Sequence, residues 1–393
     1  MRFGLDLPPH YRVFGSFFLY AFGMGGIFPR MADIQHALGV TQGTFGLALI
    51  GTATGTLISL TFAAPLIERL GHRLMLALIP LLTLLFAAAS FATGPVALFL
   101  LLLPTGIVIG CIEIIVNLEA DRVEHQLGRR IMNRSHAFWS LGFFTAGLVG
   151  ATFAQLGVSP QLDLLLMVPV ILAGVLVVLG RFESAPHRAT AHTDPPPRFA
   201  RPTAAILILV VVTLSAMILE GAGSDWSAIY MRDEFGAAPF IIGFAAAVGA
   251  MVQGATRFFA DGFVERYSPS SVARALLSVL GIGALTVFFA PSDWVALFGL
   301  GLLGMGTSVI FPLAMSAAAQ RTDRAAAINV AALAQISFVA FLFGPPLLGF
   351  VAQHFGVRWS FGIALPLVVL SLWAAGSLGR RPMVTLAEPI PGE

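Results

Sequence analysis

The sequence predicts an all-α membrane protein: twelve transmembrane helices in two six-helix, pseudo-symmetric bundles. Three observations lead there. Of 393 residues, 57% are hydrophobic and only 11% are charged, with a mean hydropathy of +0.88. A soluble domain carries about 25% charged residues, so a water-soluble protein is excluded. Apolar runs of about twenty residues, long enough to cross a bilayer, recur along the whole chain. A polar, proline-rich stretch, RFESAPHRATAHTDPPPRFARP, divides those runs into equal halves, and its composition is that of a linker. No ten-residue alternation of the kind a transmembrane barrel requires is present.

The runs fall at 13–31, 43–66, 73–92, 95–119, 135–156 and 161–180, then at 203–222, 239–260, 271–290, 294–317, 326–350 and 359–379. This implies a first bundle over 1–181, a linker over 182–202 and a second bundle over 203–393. The N-terminus, MRFGLDLPPHYR, leads into the first run without a small-residue cleavage site, so no cleaved signal peptide is expected. Phe343-Gly344-Pro345-Pro346 is expected to bend or break the eleventh helix, because proline donates no amide hydrogen bond.

All 22 basic residues are arginine. With both termini on the cytoplasmic side, Arg30, Arg232 and Arg358 lie outside and the other nineteen lie inside. The positive-inside rule therefore sets the orientation. A net charge of +2 with loop-borne arginines gives no nucleic-acid signal. The single cysteine, Cys111, excludes an intrachain disulfide and reads as a small hydrophobe. No Walker loop, metal-ligand cluster or nucleophile elbow is present, so neither an enzyme nor a metal or cofactor is expected.

The halves repeat. Phe45-Gly46 and Ile242-Gly243 are offset by 197 residues, as are Ile67-Glu68-Arg69 and Val264-Glu265-Arg266; Asn133 and Asn329, like Gly110 and Gly306, are offset by 196. Parallel repeats of this kind place a site between the bundles near the midplane. On this register the counterparts of Glu113 and Asn117 are Val309 and Leu313. An acid at position 113 is therefore no shared scaffold requirement.

Glu113 is the leading candidate for function. A charge at the centre of a membrane helix costs about 2.5–3.5 kcal/mol on insertion scales, and such residues face cavities or partners. Asn117 and Asp121 follow on the same helical face. Glu113 is expected to face the space between the bundles and to bind the coupling proton, with Asn117 as its hydrogen-bond partner and any arginine partner on another helix. Arg30 is expected to snorkel, pair or contact solute. Glu220, at the outer end of the seventh helix before a flexible GAGS segment, is a candidate substrate mouth or periplasmic gate with Asp225 and Trp226. Gln253, Arg257 and Asp261 recur at i+4 on the eighth helix, with Arg257 and Asp261 expected to pair near the cytoplasmic gate. Asn133, His136 and Ser140 share a face of the fifth helix; His136, Trp139, Ser140 and Gln253 are cavity candidates.

The loop AAPLIERLGHR, residues 63–73, resembles the signature loop of the major facilitator superfamily, with Glu68 at the acid, Arg69 and Arg73 at the bases and Gly71 at the turn. Ala64 stands at its first glycine and Glu68 replaces aspartate. RFFADGFVERYS, residues 257–268, stands at the corresponding place in the second half. The resemblance implies alternating access, with Glu68, Arg69, Gly71 and Arg73, and Arg257, Asp261, Glu265 and Arg266, latching helix ends at a cytoplasmic gate. GCIEIIVN, RIMNRSHAFWSLG, EGAGSDWSAIYMRD and FPRMADIQHALGV are similar to the fucose-permease-like branch and its YbjJ-like inner membrane proteins. In that branch the acid matching Glu113 takes part in proton coupling. The first helix, YAFGMGGIFPR, lacks the aspartate of fucose permeases, so no sugar specificity follows. The fifth helix lacks the Gly-Pro of drug/proton antiporters. The expectation is a monomeric secondary transporter of the bacterial inner membrane, with the lipid bilayer, a small-molecule substrate and protons as partners. Proton symport of a small organic solute leads, and proton-coupled efflux is the alternative.

Overall fold

The structure, a computed structural model, describes residues 4–379 other than 129–130, 187–200 and 325. Most of the linker and the side chains of Glu68, Asn133 and Asp261 lie outside the described residues. The described chain is helical, with no strand among those residues. Among the described residues, eleven helices are long and apolar enough to cross a membrane. The first helix, Pro9–Gly25, has 17 residues and continues through a tight turn, Phe28–Arg30, into the helix Met31–Leu38. It completes the set of twelve.

In order, these are α1 (Pro9–Gly25), α2 (Gln42–Phe62), α3 (His72–Ala89), α4 (Pro95–Leu127), α5 (Met132–Gln155), α6 (Pro160–Leu179), α7 (Ala204–Phe235), α8 (Pro239–Tyr267), α9 (Pro269–Phe289), α10 (Asp293–Ala319), α11 (Ala326–Phe355) and α12 (Trp359–Leu378). Local chemistry marks their starts. The side chains of Thr41, Ser159, Thr203 and Ser292 accept the amide hydrogens of Thr44, Leu162, Ile206 and Val295. Each satisfies a donor the first helical turn leaves free. Proline in the first turn of α4, α6, α8 and α9 loses nothing, because its missing amide would be unpaired there.

In the first bundle α2 packs on α4 through facing glycines. A side chain on Gly55 would collide with the Leu103 carbonyl, and one on Gly106 with the Thr52 carbonyl. Lipid supplies no hydrophobic drive between helices, so such close backbone approach is what holds membrane helices together. Gly304 of α10 meets the Gly249 backbone of α8 in the same way in the second bundle. The turns after α2 and α8 share an unusual backbone: Gly71 has φ +78° and Ser268 has φ +118°. These two positions are offset by the repeat length of 197, so the duplication is visible in backbone conformation where the side chains have diverged.

One sequence expectation is corrected, and another, a bend or a break at Pro345 and Pro346, is narrowed. The seventh helix does not end at 222 in a loop; α7 is helical to Phe235 and passes through a wide π-type turn at Ala222–Trp226. Gly221 and Gly223 weaken helix propensity, but packing against neighbouring helices holds the backbone in register. Helix α11 is not broken by Pro345 and Pro346 but is continuous from Ala326 to Phe355. A proline-freed carbonyl can be re-satisfied in a bundle.

Because Gly106 lies at a backbone-to-backbone crossing, Gly106→Val should destabilise the protein by about 1–3 kcal/mol or more, as overpacking does. Gly223→Ala, where an added carbon meets open space, should be tolerated. Thermal unfolding of the two purified variants checks this; equal melting temperatures would contradict the packing assignment.

Candidate functional site

The bundles meet along α5 with α8 and α2 with α11. Gly147 packs on Ala247, Gly243 on Ala151, Gly46 on the Pro345 carbonyl and Gly349 on the Gln42 carbonyl. Polar contacts tighten the end of this seam remote from the linker. Gln42 donates to Asp233 (3.3 Å), the Gly43 amide to Gln353 (3.2 Å) and the Phe240 amide to Gln155 (3.1 Å). Arg232 of α7 donates to Gln35 (2.7 Å) and to the Ala32 carbonyl. The far end is sealed.

Below this seal lies an open cavity of about 740 Å3 between the bundles. It runs along α2 from Leu49 to Thr61 and along α11 from Leu348 to Ala331, so it reaches the linker ends of both helices. Glu113, Asn117, Trp139, Glu220, Asp225 and Gln253 line it, among mostly apolar neighbours. Glu113 accepts a hydrogen bond from the Tyr20 hydroxyl of α1 (2.9 Å) and one from the Asn117 amide (3.0 Å). Asn117 also donates to the Glu113 carbonyl at 2.9 Å, which fixes the amide's orientation. Spacing alone pointed to Asn117. Tyr20 had no sequence signal, because its partner is 93 residues away.

The wide turn in α7 puts Glu220 and Asp225 on the cavity wall rather than at an outer loop. Gln253 of α8 donates to Glu220 (3.0 Å) and to Thr307 (3.2 Å). Ser224 donates to Asp225 (3.2 Å). At the repeat position of Glu113, Val309 interrupts α10 between Thr307 and Ile310. Arg257 donates there to the Ser308 carbonyl (2.7 Å) and interacts electrostatically with Glu220 and His136. The pairing of Arg257 with Asp261 falls outside the described side chains.

Other expected site residues lie elsewhere. Arg30 is 1% exposed and neither snorkels nor lines the cavity. It pairs with Asp163 of α6 at 2.7 Å and Asp33 at 3.0 Å and donates to the Val158 carbonyl. A buried cation must be paired, and Asp163, unremarked in the sequence, supplies the counter-charge. Trp226 is fully buried against Gly349, in the floor of the seal. Ser140 packs on Gly254, and the His136 ring abuts Phe17 at 5.1 Å between centroids; neither lines the cavity. Arg69, in the short helix Ala64–Leu70, and Arg73, in the first turn of α3, are exposed. Arg266 lies over the Tyr267 ring at 5.4 Å, and Glu265, although solvent-exposed, is not free of partners.

Missed altogether was a buried cluster at the linker end. His72 pairs with Glu119, whose other oxygen accepts the Ala185 amide at 2.7 Å. The start of the linker is thereby docked on the first bundle. His72 lies inside the signature-like loop, yet only the fold brings it to Glu119, 47 residues on.

Two bundles around a ligand-sized cavity, sealed at one end, define a membrane transporter. The chain belongs to the Major Facilitator Superfamily, whose family model matches residues 13–223 and 208–391. It is 26% identical to an uncharacterised MFS-type transporter of Yersinia pestis, covering 91% of this chain and 92% of that one. It is 28% identical to an uncharacterised transporter, y4wD, of Sinorhizobium fredii, over 91% and 94%, and 24% identical to membrane protein MosC of Rhizobium meliloti, over 87% and 83%. Among solved structures it resembles the nucleoside transporter NupG, with TM-score 0.68, 14% identity and 95% and 98% coverage. It also resembles a bacterial homologue of the human lysosomal transporter Spinster in an inward-facing, occupied conformation, with TM-score 0.68, 14% identity and 94% and 95% coverage. Those two likenesses are of fold. The chain is a secondary transporter and not an enzyme.

Asp163→Leu should cost about 3–5 kcal/mol, because it removes the buried one of Arg30's two carboxylate partners and leaves only the half-exposed Asp33. Arg30→Met with Asp163→Leu should recover most of that loss. A double-mutant cycle by thermal unfolding checks this; additive losses would show that the two side chains do not act as a pair.

Proposed function

We propose that this chain is a proton-coupled symporter of a bacterial inner membrane, moving a small organic solute by alternating access. The observation that carries the reading is Glu113, set in the cavity wall and held by Tyr20 and Asn117. The arginine asymmetry puts the linker end in the cytoplasm, so the sealed far end is periplasmic and the cavity is open inward.

The physical logic of coupling follows from the cost of dehydrating a charge. Closing the cavity at the linker end removes water from Glu113. A carboxylate resists that transfer, whereas a carboxylic acid within reach of an amide and a hydroxyl does not. A bound proton and a bound solute together therefore permit closure; either alone leaves a charge or a void. Opening at the far end requires the Arg232 and Gln42 contacts to part. Arg69, Arg73 and Arg266 then meet neighbouring helix ends, and Gly71 supplies the left-handed turn that aims them. Glu68, Asp261 and Glu265 complete this proposed cytoplasmic latch.

Glu113→Gln should behave as the protonated state. In proteoliposomes, solute exchange without an imposed gradient should survive and uphill accumulation driven by a proton gradient should vanish. A variant that still accumulates solute would move the coupling site elsewhere. Arg232→Ala should weaken the seal and shift the population toward the outward-open form. Spin labels on the far ends of α2 and α11 should then report a longer mean distance; an unchanged distribution would remove Arg232 from the gate.

A further inference from the structure

Among the described residues the cavity wall carries three carboxylates, those of Glu113, Glu220 and Asp225, and no arginine, lysine or histidine. Glu220 interacts electrostatically with Arg257, which does not line the cavity. The Asp225 partner is the neighbouring hydroxyl of Ser224, which carries no charge. Asp225 sits on the wide turn of α7, a local distortion that re-aims side chains and is frequent at functional sites. Aromatic rings complete the wall: Tyr20, Trp139 and Phe143 come from the first bundle, and Phe338 and Phe341 from the second. Trp139 and Phe143 stack at 5.4 Å.

Resting on the transporter reading of this cavity, we infer that its solute is an amphipathic organic cation, with Asp225 and Glu220 facing the cationic group and the aromatic wall receiving the apolar body. Three considerations converge. A carboxylate attracts a cation far more strongly in a low-dielectric cavity than in water. Aromatic faces add cation–π attraction. An anion would meet like charges, and two of the lining amides, Asn117 and Gln253, already donate to Glu113 and Glu220. The open space beside Gly221, Gly223 and Gly344 leaves room for a rigid apolar body against bare backbone. Glu113 keeps the proton, and Asp225 takes the solute's charge, so the two sites are separate.

The test uses an isosteric pair of opposite charge, tetraphenylphosphonium and tetraphenylborate, in equilibrium dialysis against the purified full-length protein in detergent. Saturable binding of the cation at one site, at least tenfold tighter than that of the anion, is expected. Asp225→Asn should weaken cation affinity tenfold or more, and Glu220→Gln should weaken it by a smaller factor. Gly223→Leu, which fills the open space without changing charge, should weaken it as well. Saturable anion binding equal to or tighter than that of the cation, no cation binding, or affinity unchanged in both acid variants would each overturn the inference. The wild-type comparison decides the sign of charge even if a variant fails to fold. Equilibrium binding requires no transport, so a protein that binds the cation but fails the proton-driven assay would sink the coupling role of Glu113 alone.

Discussion

Ionisable groups inside a membrane protein must be solvated or partnered, and this constraint organises the molecule. Glu113, Glu220 and Asp225 lie within the long apolar helices α4 and α7. They are affordable only because the two bundles part there and leave a cavity that water can enter. Hydrogen bonds from Tyr20 and Asn117 to Glu113, from Gln253 to Glu220 and from Ser224 to Asp225 satisfy part of each carboxylate.

The same constraint explains the arginines that break the positive-inside pattern. Each is consumed at the far end. Arg30 is locked within the first bundle by Asp163. Arg358 is held within the second by Glu234 at 2.6 Å and by the Phe288 and Ala290 carbonyls. Arg232 reaches from the second bundle to the first. Two of them therefore stiffen rigid bodies, and the third ties those bodies together. This division of labour is what alternating access requires: firm bundles with a breakable joint between them. The joint's hydrogen bonds run to amides, carbonyls and glutamines at a partly wetted edge, where each is worth little alone and is readily exchanged for water.

The repeat is conserved where backbone geometry matters and lost where chemistry does. Gly71 and Ser268 keep the same left-handed turn, and both bundles use glycine contacts between their second and fourth helices. By contrast, the position that holds Glu113 in α4 holds Val309 in α10, where the helix is interrupted and Arg257 binds a freed carbonyl. The halves share a scaffold and divide the polar work.

The sequence by itself determined the class, the helix count and the two bundles, and it singled out Glu113 with Asn117, both of which line the cavity. Those rest on composition, on apolar run length and on spacing within one helix, all of which are local. It misread the wide turn in α7, because GAGS is loop-like in propensity and only packing makes it helical. It also misplaced His136 and Ser140, because which face of a helix meets a neighbour depends on helix rotation within the bundle. Tyr20 with Glu113, Arg30 with Asp163, His72 with Glu119 and Arg232 with Gln35 join residues 93, 133, 47 and 197 apart. No periodicity encodes such pairs. Tertiary structure decided them, since a partner for a buried charge is chosen by whichever helix the packing of small residues brings alongside.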